Sequence, residues 1–271
     1  MERQAMPALA ALPSLETLMD AAWPSPDREE ASGWVLRASD GVTQRANSIW
    51  PRSEPDGTNH SRLASLREAR AWYRSRRLPV IFQVFDDPRS AALNAVLDEE
   101  GFTRQSETLV LVRDAGGASA SRDTAPRDTG VELSAEPSDE WLRLWWSVDG
   151  RGGDDSLATA RSILRGCQSL YALVCDDDGV PAAVGRLALP SGGAGGLYCM
   201  ATHRENRRHG YATRVLQSLL REGDARGLGS YWLLVTAANA GARELYSKAG
   251  FTEAGRYYYR QERPKRHLTG C

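Results

Sequence analysis

Residues 196–220 read GLYCMATHRENRRHGYATRVLQSLL. The run from Gly196 to Thr202 predicts a strand. From Ala212 the apolar residues Ala212, Val215, Leu216, Leu219 and Leu220 recur at i, i+3, i+4, i+7 and i+8, the pattern of a helix with one buried stripe. Between the two stands the turn Arg207-Arg208-His209-Gly210-Tyr211-Ala212-Thr213. Its backbone N–H groups therefore point out of a helix N-terminus, where unpaired donors and the positive end of the helix dipole favour an anion. Gly210 and the small Ala212 let a phosphate approach the backbone, and Arg204, Arg207, Arg208 and Arg214 supply charge. The turn suits a pyrophosphate, although the same residues would also make an ordinary solvated basic surface. A dinucleotide site is disfavoured, because no G-x-G-x-x-G run occurs after Thr202.

Downstream, Tyr231 to Thr236 is a nearly continuous apolar strand. Asn239 is placed to cap a helix carrying Ala242, Leu245, Tyr246 and Ala249 on one side, with Gly250 ending it and a last strand at Tyr257 to Arg260. Upstream, Val131 to Leu133 predicts a short strand, and helices follow at Ser138 to Val148 and Ser156 to Arg165. Strands at Ser169 to Cys175 and Ala182 to Leu189 are joined by Asp176-Asp177-Asp178-Gly179, a hairpin signal.

The breaker-rich run DAGGASASRDTAPRDTG, 114–130, predicts a linker between a domain at 1–113 and a domain at 131–271. The first half echoes the order of the second: a helix around Ser61 to Arg76, an apolar strand at Val80 to Phe85, and a helix ending at Gly101-Phe102.

R-x-x-G-x-A before a helix, followed by NAGARELYSKAGF from Asn239 to Phe251, resembles the GNAT superfamily of acyl-CoA N-acyltransferases. The resemblance implies an α/β fold with a central mixed sheet flanked by helices, repeated in tandem, and an acetyl-CoA-dependent N-acetyltransferase. It implies that Arg207, Arg208, His209, Gly210, Tyr211, Ala212 and Thr213 bind the CoA pyrophosphate. Cys199, Met200 and Ala201 would meet the acetyl group and pantetheine arm through their main chain, and Asn239 would contact that arm. Tyr246 would sit near the CoA sulfur. A phenol there can give the leaving thiolate its proton, so Tyr246 is the general-acid candidate. Trp145 and Trp146 fall in the region that lines the acceptor pocket in such proteins, though tryptophans at this spacing also suit packing alone. The N-terminal half aligns loosely by its Gly101-Phe102. Leu97 stands in place of the tyrosine and Ser90 in place of the asparagine, and Pro51 and Pro55 occupy the loop where a phosphate turn would be needed. That domain is expected to be degenerate.

An amine of pKa about 10.4 must lose a proton before attack, at a cost of about 4 to 5 kcal/mol at neutral pH. Glu205, His203, Asp149, Asp154, Asp155 and a water relay all remain open as its base.

The formal net charge of −1 gives no global case for nucleic acid or an anionic membrane as partner. A small-molecule amine is the expected acceptor, with a protein N-terminus or lysine, or a non-catalytic acyl-CoA-binding module, as the alternatives, and a monomer or homodimer is the expected state. No apolar stretch of about 18 residues occurs, and Pro7 and Pro13 break the short N-terminal run, so neither a span nor a signal peptide is expected. The cysteines, Cys167, Cys175, Cys199 and Cys271, lack metal-ligand spacing, so no metal is expected, and they read as free thiols of a reducing cytoplasm. Lys248 and Lys265 are the only lysines, an arginine bias that suits a GC-rich bacterial coding sequence.

Overall fold

The computed structural model describes residues 12–53, 57–115, 128–150 and 152–263, with side chains from residue 15. In chain order the elements are α1 (Leu12–Ala22), β1 (Asp27–Ala31), β2 (Trp34–Ala38), β3 (Trp50–Pro51), α2 (Asn59–Ser75), β4 (Ile81–Phe85), α3 (Ala91–Glu99) and β5 (Phe102–Asp114). There follow β6 (Val131–Ser134), α4 (Asp139–Asp149), α5 (Asp154–Arg165), β7 (Ser169–Cys175), β8 (Pro181–Ala188) and β9 (Ala194–Thr202). The last elements are α6 (Tyr211–Ala225), β10 (Ser230–Thr236), α7 (Ala240–Lys248) and β11 (Thr252–Glu262).

These elements gather into two compact units that interleave along the chain. One comprises Met1–Pro24 and Leu109–Gly255, the other Ser25–Thr108 and Arg256–Cys271. A division into 1–113 and 131–271 differs from this at three places: α1 and residues 109–113 of β5 group with the later half, and the end of β11 groups with the earlier half. Most of the linker expected at 114–130 falls on 116–127, outside the described residues.

In the first unit the strand order is β5-β10-β9-β8-β7-β6. Neighbours from β6 to β9 are antiparallel, and β9 and β10 are parallel, so the sheet is mixed. Strand side chains alternate between faces. Leu170, Ala172, Ala183 and Leu187 pack with Val215, Leu216 and Leu219 of α6. On the other face, Trp141 of α4 stands edge-on to Tyr171 at 5.1 Å and donates its indole N–H to the carbonyls of Ala172 and Gly185.

In the second unit β11 lies between β4 and β5, and β1-β2-β3 form a small sheet. The register runs antiparallel from Tyr257↔Phe85 to Gln261↔Ile81. Helices α2 and α3 bury Leu66, Ala69, Tyr73, Leu93 and Leu97 with Trp34, Leu36 and Phe82.

Sequence reasoning found every element from β6 onward but missed α1, the β1–β2 hairpin, β3 and β5. Strand β1 reads DREEA and is largely exposed, so it has no apolar alternation to detect. Its turn is Ser32-Gly33 with φ of 51° and 80°, the left-handed pair of a tight hairpin, and no Asn-Gly or Asp-Gly advertises it. Pro13 marks the first turn of α1, where its missing N–H breaks no helical bond; read as a breaker, it hid the helix.

Candidate active site

The site begins where two strands part. Strands β9 and β10 pair from Ala194↔Ser230 to Leu197↔Leu233, and the register contains no residue beyond these. On the other side of β9, Arg186 pairs Tyr198 and Val184 pairs Ala201, so Gly185 alone faces both Cys199 and Met200. This is a β-bulge, and it bends the strand. Cys199 takes a left-handed φ of 54°. Gly185 is required opposite: a Cβ there would stand 2.5 Å from the Met200 sulfur and 2.7 Å from Val215. The end of β9 thus leads the main chain of Cys199, Met200 and Ala201 away from its pairing with β10, where an extended ligand can lie alongside it.

Beyond β9, a short 3-10 turn at Arg204–Asn206 leads to Gly210, which takes φ +84° directly before α6. Open space surrounds its Cβ position. No side chain caps the helix and its first turn holds no acid. Arg207, Arg208 and His209 are exposed, while Tyr211 and Ala212 are half-buried, with Tyr211 packed against the core and Thr213 exposed. The Arg207 Nε lies 3.5 Å from the Thr202 carbonyl. Arg214 departs from expectation. It is tied to Asp128 by contacts of 2.7 and 3.1 Å and lies over the Tyr211 ring, so its charge is already engaged. Arg214 in turn holds the Asp128 carboxyl below the usual range.

Tyr246 lies on α7, 6% exposed and edge-on to Phe251 at 6.1 Å. Burial, and after it the nearby Asp149 charge, push its phenol well above the ordinary value, which keeps the proton on. The Asn239 side-chain oxygen accepts the Ala242 N–H at 3.1 Å, so the residue caps α7 and leaves its amide group for a second partner. Trp145 is buried among Trp23, Trp141 and Trp146, at 6.3, 5.9 and 5.6 Å. It packs the site rather than facing it. Trp146 keeps a half-exposed ring and donates its N–H to the Gly152 carbonyl.

Of the possible bases, Glu205, Asp154 and Asp155 are exposed on their own turns and His203 is half-buried. Asp149 differs. Solvent reaches it, yet surrounding protein pushes its carboxyl up, against the opposing influence of the nearby Trp145 indole and Arg207 charge.

Sequence reasoning missed Trp23 and Arg186. The Trp23 ring lies 5.5 Å from Tyr198. Under both rings sits the fully buried Arg186 guanidinium, at 5.6 and 5.8 Å. Arg186 donates to Ser169 Oγ and to the carbonyls of Ala22 and Leu164, at the C-terminal ends of α1 and α5, where helix dipoles favour a cation. A basic residue in a strand was the only available signal. Among the described residues no group of three or more His, Cys, Asp or Glu could hold a metal.

A mixed sheet with a bulged, parting strand pair and an uncapped glycine-led helix defines an N-acetyltransferase of the GNAT type in tandem arrangement. Residues 10–260 match the family model described as "Probable histone acetyltransferase Rv0428c C-terminal", and the chain belongs to that family. It is 26% identical over 252 residues to the uncharacterized N-acetyltransferase YobR of Bacillus subtilis, covering 92% of this chain and 98% of that protein. It is 38% identical over 136 residues to the probable histone acetyltransferase Rv0428c of Mycobacterium tuberculosis, covering 50% of this chain and 39% of that protein. Among solved structures, a GCN5-related N-acetyltransferase from Kribbella flavida shares the fold with a TM-score of 0.66 at 19% identity, covering 97% of this chain and 98% of that one. A tandem GNAT protein from the clavulanic acid biosynthesis pathway does so with a TM-score of 0.64 at 15% identity, covering 95% of this chain and 93% of that one. The fold implies use of an acyl-CoA.

Proposed function

We propose that this protein transfers the acetyl group of acetyl-CoA directly to a primary amine of a small molecule. The observation that carries the reading is the parting of β9 from β10 at the Cys199–Met200 bulge, beside an α6 N-terminus that no side chain caps. The amides of the Arg207–Thr213 turn would hold the pyrophosphate, with Arg207 and Arg208 adding charge. The main chain of Cys199, Met200 and Ala201 would hold the pantetheine arm, and the Asn239 amide would support it. Tyr246, kept protonated by burial, would give its proton to the departing sulfur. A near-zero net charge supports an acceptor that is neither nucleic acid nor membrane. No helix among the described residues is long and apolar enough to cross a membrane. We place the activity in the cytoplasm, in a monomer or homodimer.

The printed names of the relatives support a second reading, in which the acceptor amine belongs to a protein. One is a probable histone acetyltransferase, and another, 38% identical over 65 residues, is the ribosomal protein bS18-alanine N-acetyltransferase of Escherichia coli. Calorimetric titration with acetyl-CoA, then thiol release with small amines and with peptides, separates the readings. Release with small amines supports the first and release with peptides alone the second. Binding without release would instead mean an acyl-CoA-binding regulatory module, and absence of binding would overturn all three.

A further inference from the structure

The phosphate turn has little internal support. Helix α6 carries no side-chain cap, and the residues before it include two left-handed positions, Arg208 at φ 68° and Gly210 at φ 84°. A left-handed backbone suits Gly210 but opposes the Cβ of Arg208, so contacts outside the turn must set its path. Upstream, the His203 N–H donates to the Ala182 carbonyl at 2.9 Å and carries the β8–β9 ladder one step past its last strand pair. Within the 3-10 turn the Asn206 N–H donates to the His203 carbonyl at 3.0 Å, and the Arg207 N–H reaches the Arg204 carbonyl at 3.5 Å.

Asn206 is half-buried between the exposed Glu205 and Arg207. Its Nδ2 donates to Asp176 Oδ2 at 3.2 Å, 30 residues away in the β7–β8 hairpin. Asp176 is half-buried as well, beside the exposed Asp177 and Asp178. Its other oxygen, Oδ1, accepts the Asp178 and Val180 N–H groups at 3.1 and 2.9 Å. The Val180 N–H, then the Asn206 amide and the Asp178 N–H, hold the Asp176 carboxyl below the usual carboxylate range. An ionised carboxylate only accepts, so the Asn206 amide must present its NH2 group. One oxygen of Asp176 thus builds the hairpin turn, and the other holds the residue that leads into the phosphate turn. An asparagine would serve the hairpin equally well, so turn chemistry alone does not account for the second oxygen.

We propose that Asp176 and Asn206 are positioning residues for the CoA site: their bond anchors the Arg204–Asn206 turn to the β7–β8 hairpin and so sets how the amides of Arg207–Thr213 meet the pyrophosphate. The proposal rests on the acetyl-CoA reading of that turn. Both residues act through the backbone between His203 and Gly210 rather than on the ligand.

The test is calorimetric titration of the full chain with acetyl-CoA at pH 7, with thermal unfolding of each free chain alongside. Asn206→Ala removes the bond and adds no charge. Its dissociation constant should rise about tenfold, the scale of one hydrogen bond to a charged group, while Tm stays within about 3 °C. Asn206→Asp sets two carboxylates against each other, and the constant should rise about 30-fold. Asp176→Asn/Asn206→Asp reverses donor and acceptor, keeps the Oδ1 acceptor of the hairpin, and should return the constant to within about threefold of wild type. Asp177→Asn/Asn206→Asp removes the same charge one residue along without restoring the bond, and should bind as weakly as Asn206→Asp. Wild-type affinity in Asn206→Ala, a loss there accompanied by a fall in Tm of more than about 10 °C, or a rescue by Asp177→Asn equal to that by Asp176→Asn overturns the positioning role while acetyl-CoA binding stands. A wild-type chain that binds no acetyl-CoA overturns the reading of the turn itself and this proposal with it.

Discussion

The α6 and α2 helices each follow a strand and a turn, yet they begin in opposite ways. Helix α6 starts at Gly210, left-handed, with no side chain on its amides. Helix α2 starts at Thr58, whose hydroxyl accepts the Ser61 N–H at 3.1 Å and lies 2.9 Å from the Ser61 hydroxyl. One helix leaves its N-terminal donors without a side-chain partner, and the other caps one of its own. The same divergence recurs at the next helix of each pair. Both α7 and α3 precede a left-handed glycine, Gly250 at φ 87° and Gly101 at φ 80°, followed by a buried phenylalanine. Four residues before the glycine stands Tyr246 in one and the fully buried Leu97 in the other. In the second unit the helix N-terminus carries its own side-chain cap, and hydrocarbon stands where the first unit has a phenol.

The contrast is most directly broken at Gly210. Gly210→Glu puts a carboxylate beside the phosphate position and forces a side chain into a left-handed turn. Acetyl-CoA affinity measured by calorimetry should drop roughly 100-fold, about 2.7 kcal/mol. An unchanged affinity would mean that the α6 N-terminus is as inert as that of α2. Tyr246→Phe should lower kcat by roughly 10- to 100-fold with acetyl-CoA affinity unchanged, since only the proton is lost. If kcat holds, Tyr246 is as structural as Leu97. On the other side of the comparison, Thr58→Ala should cost about 1 kcal/mol in urea unfolding and leave acetyl-CoA affinity untouched. The smallest effect is expected for Asp128→Ala, which releases Arg214 toward the phosphate turn. Affinity should tighten less than about threefold and only at low salt, as befits a half-exposed ion pair.

How far the sequence was readable follows the same line. Helix α6 announced itself through a stripe from Val215 to Leu220, because one face is buried and the other wet. Strands β7 to β10 were plain as apolar runs between turn residues. The phosphate turn was legible because its signals are local: a glycine, small neighbours and arginines just before a helix. Arg214 has the same composition cue, and only the position of Asp128, 86 residues away, assigns it elsewhere. Trp145 and Trp146 are adjacent letters with different fates, one locked among rings and one half-exposed, and no periodicity distinguishes them. The bulge at Cys199 was invisible, since nothing in the letters CMA tells a strand to carry two residues against one. Trp23 and Arg186 lie 163 positions apart in the chain, and their partnership exists only in three dimensions.

Strand β11 fills the slot between β4 and β5 in the second unit. On a translating ribosome, residues 25–108 emerge long before 256–262, so β4 and β5 must wait with unpaired edges while residues 109–255 are synthesised. The early half of this polypeptide cannot finish folding until residues 256–262 leave the exit tunnel. Any release that falls short of them would yield a chain with two bare strand edges, a natural target for chaperones and proteases.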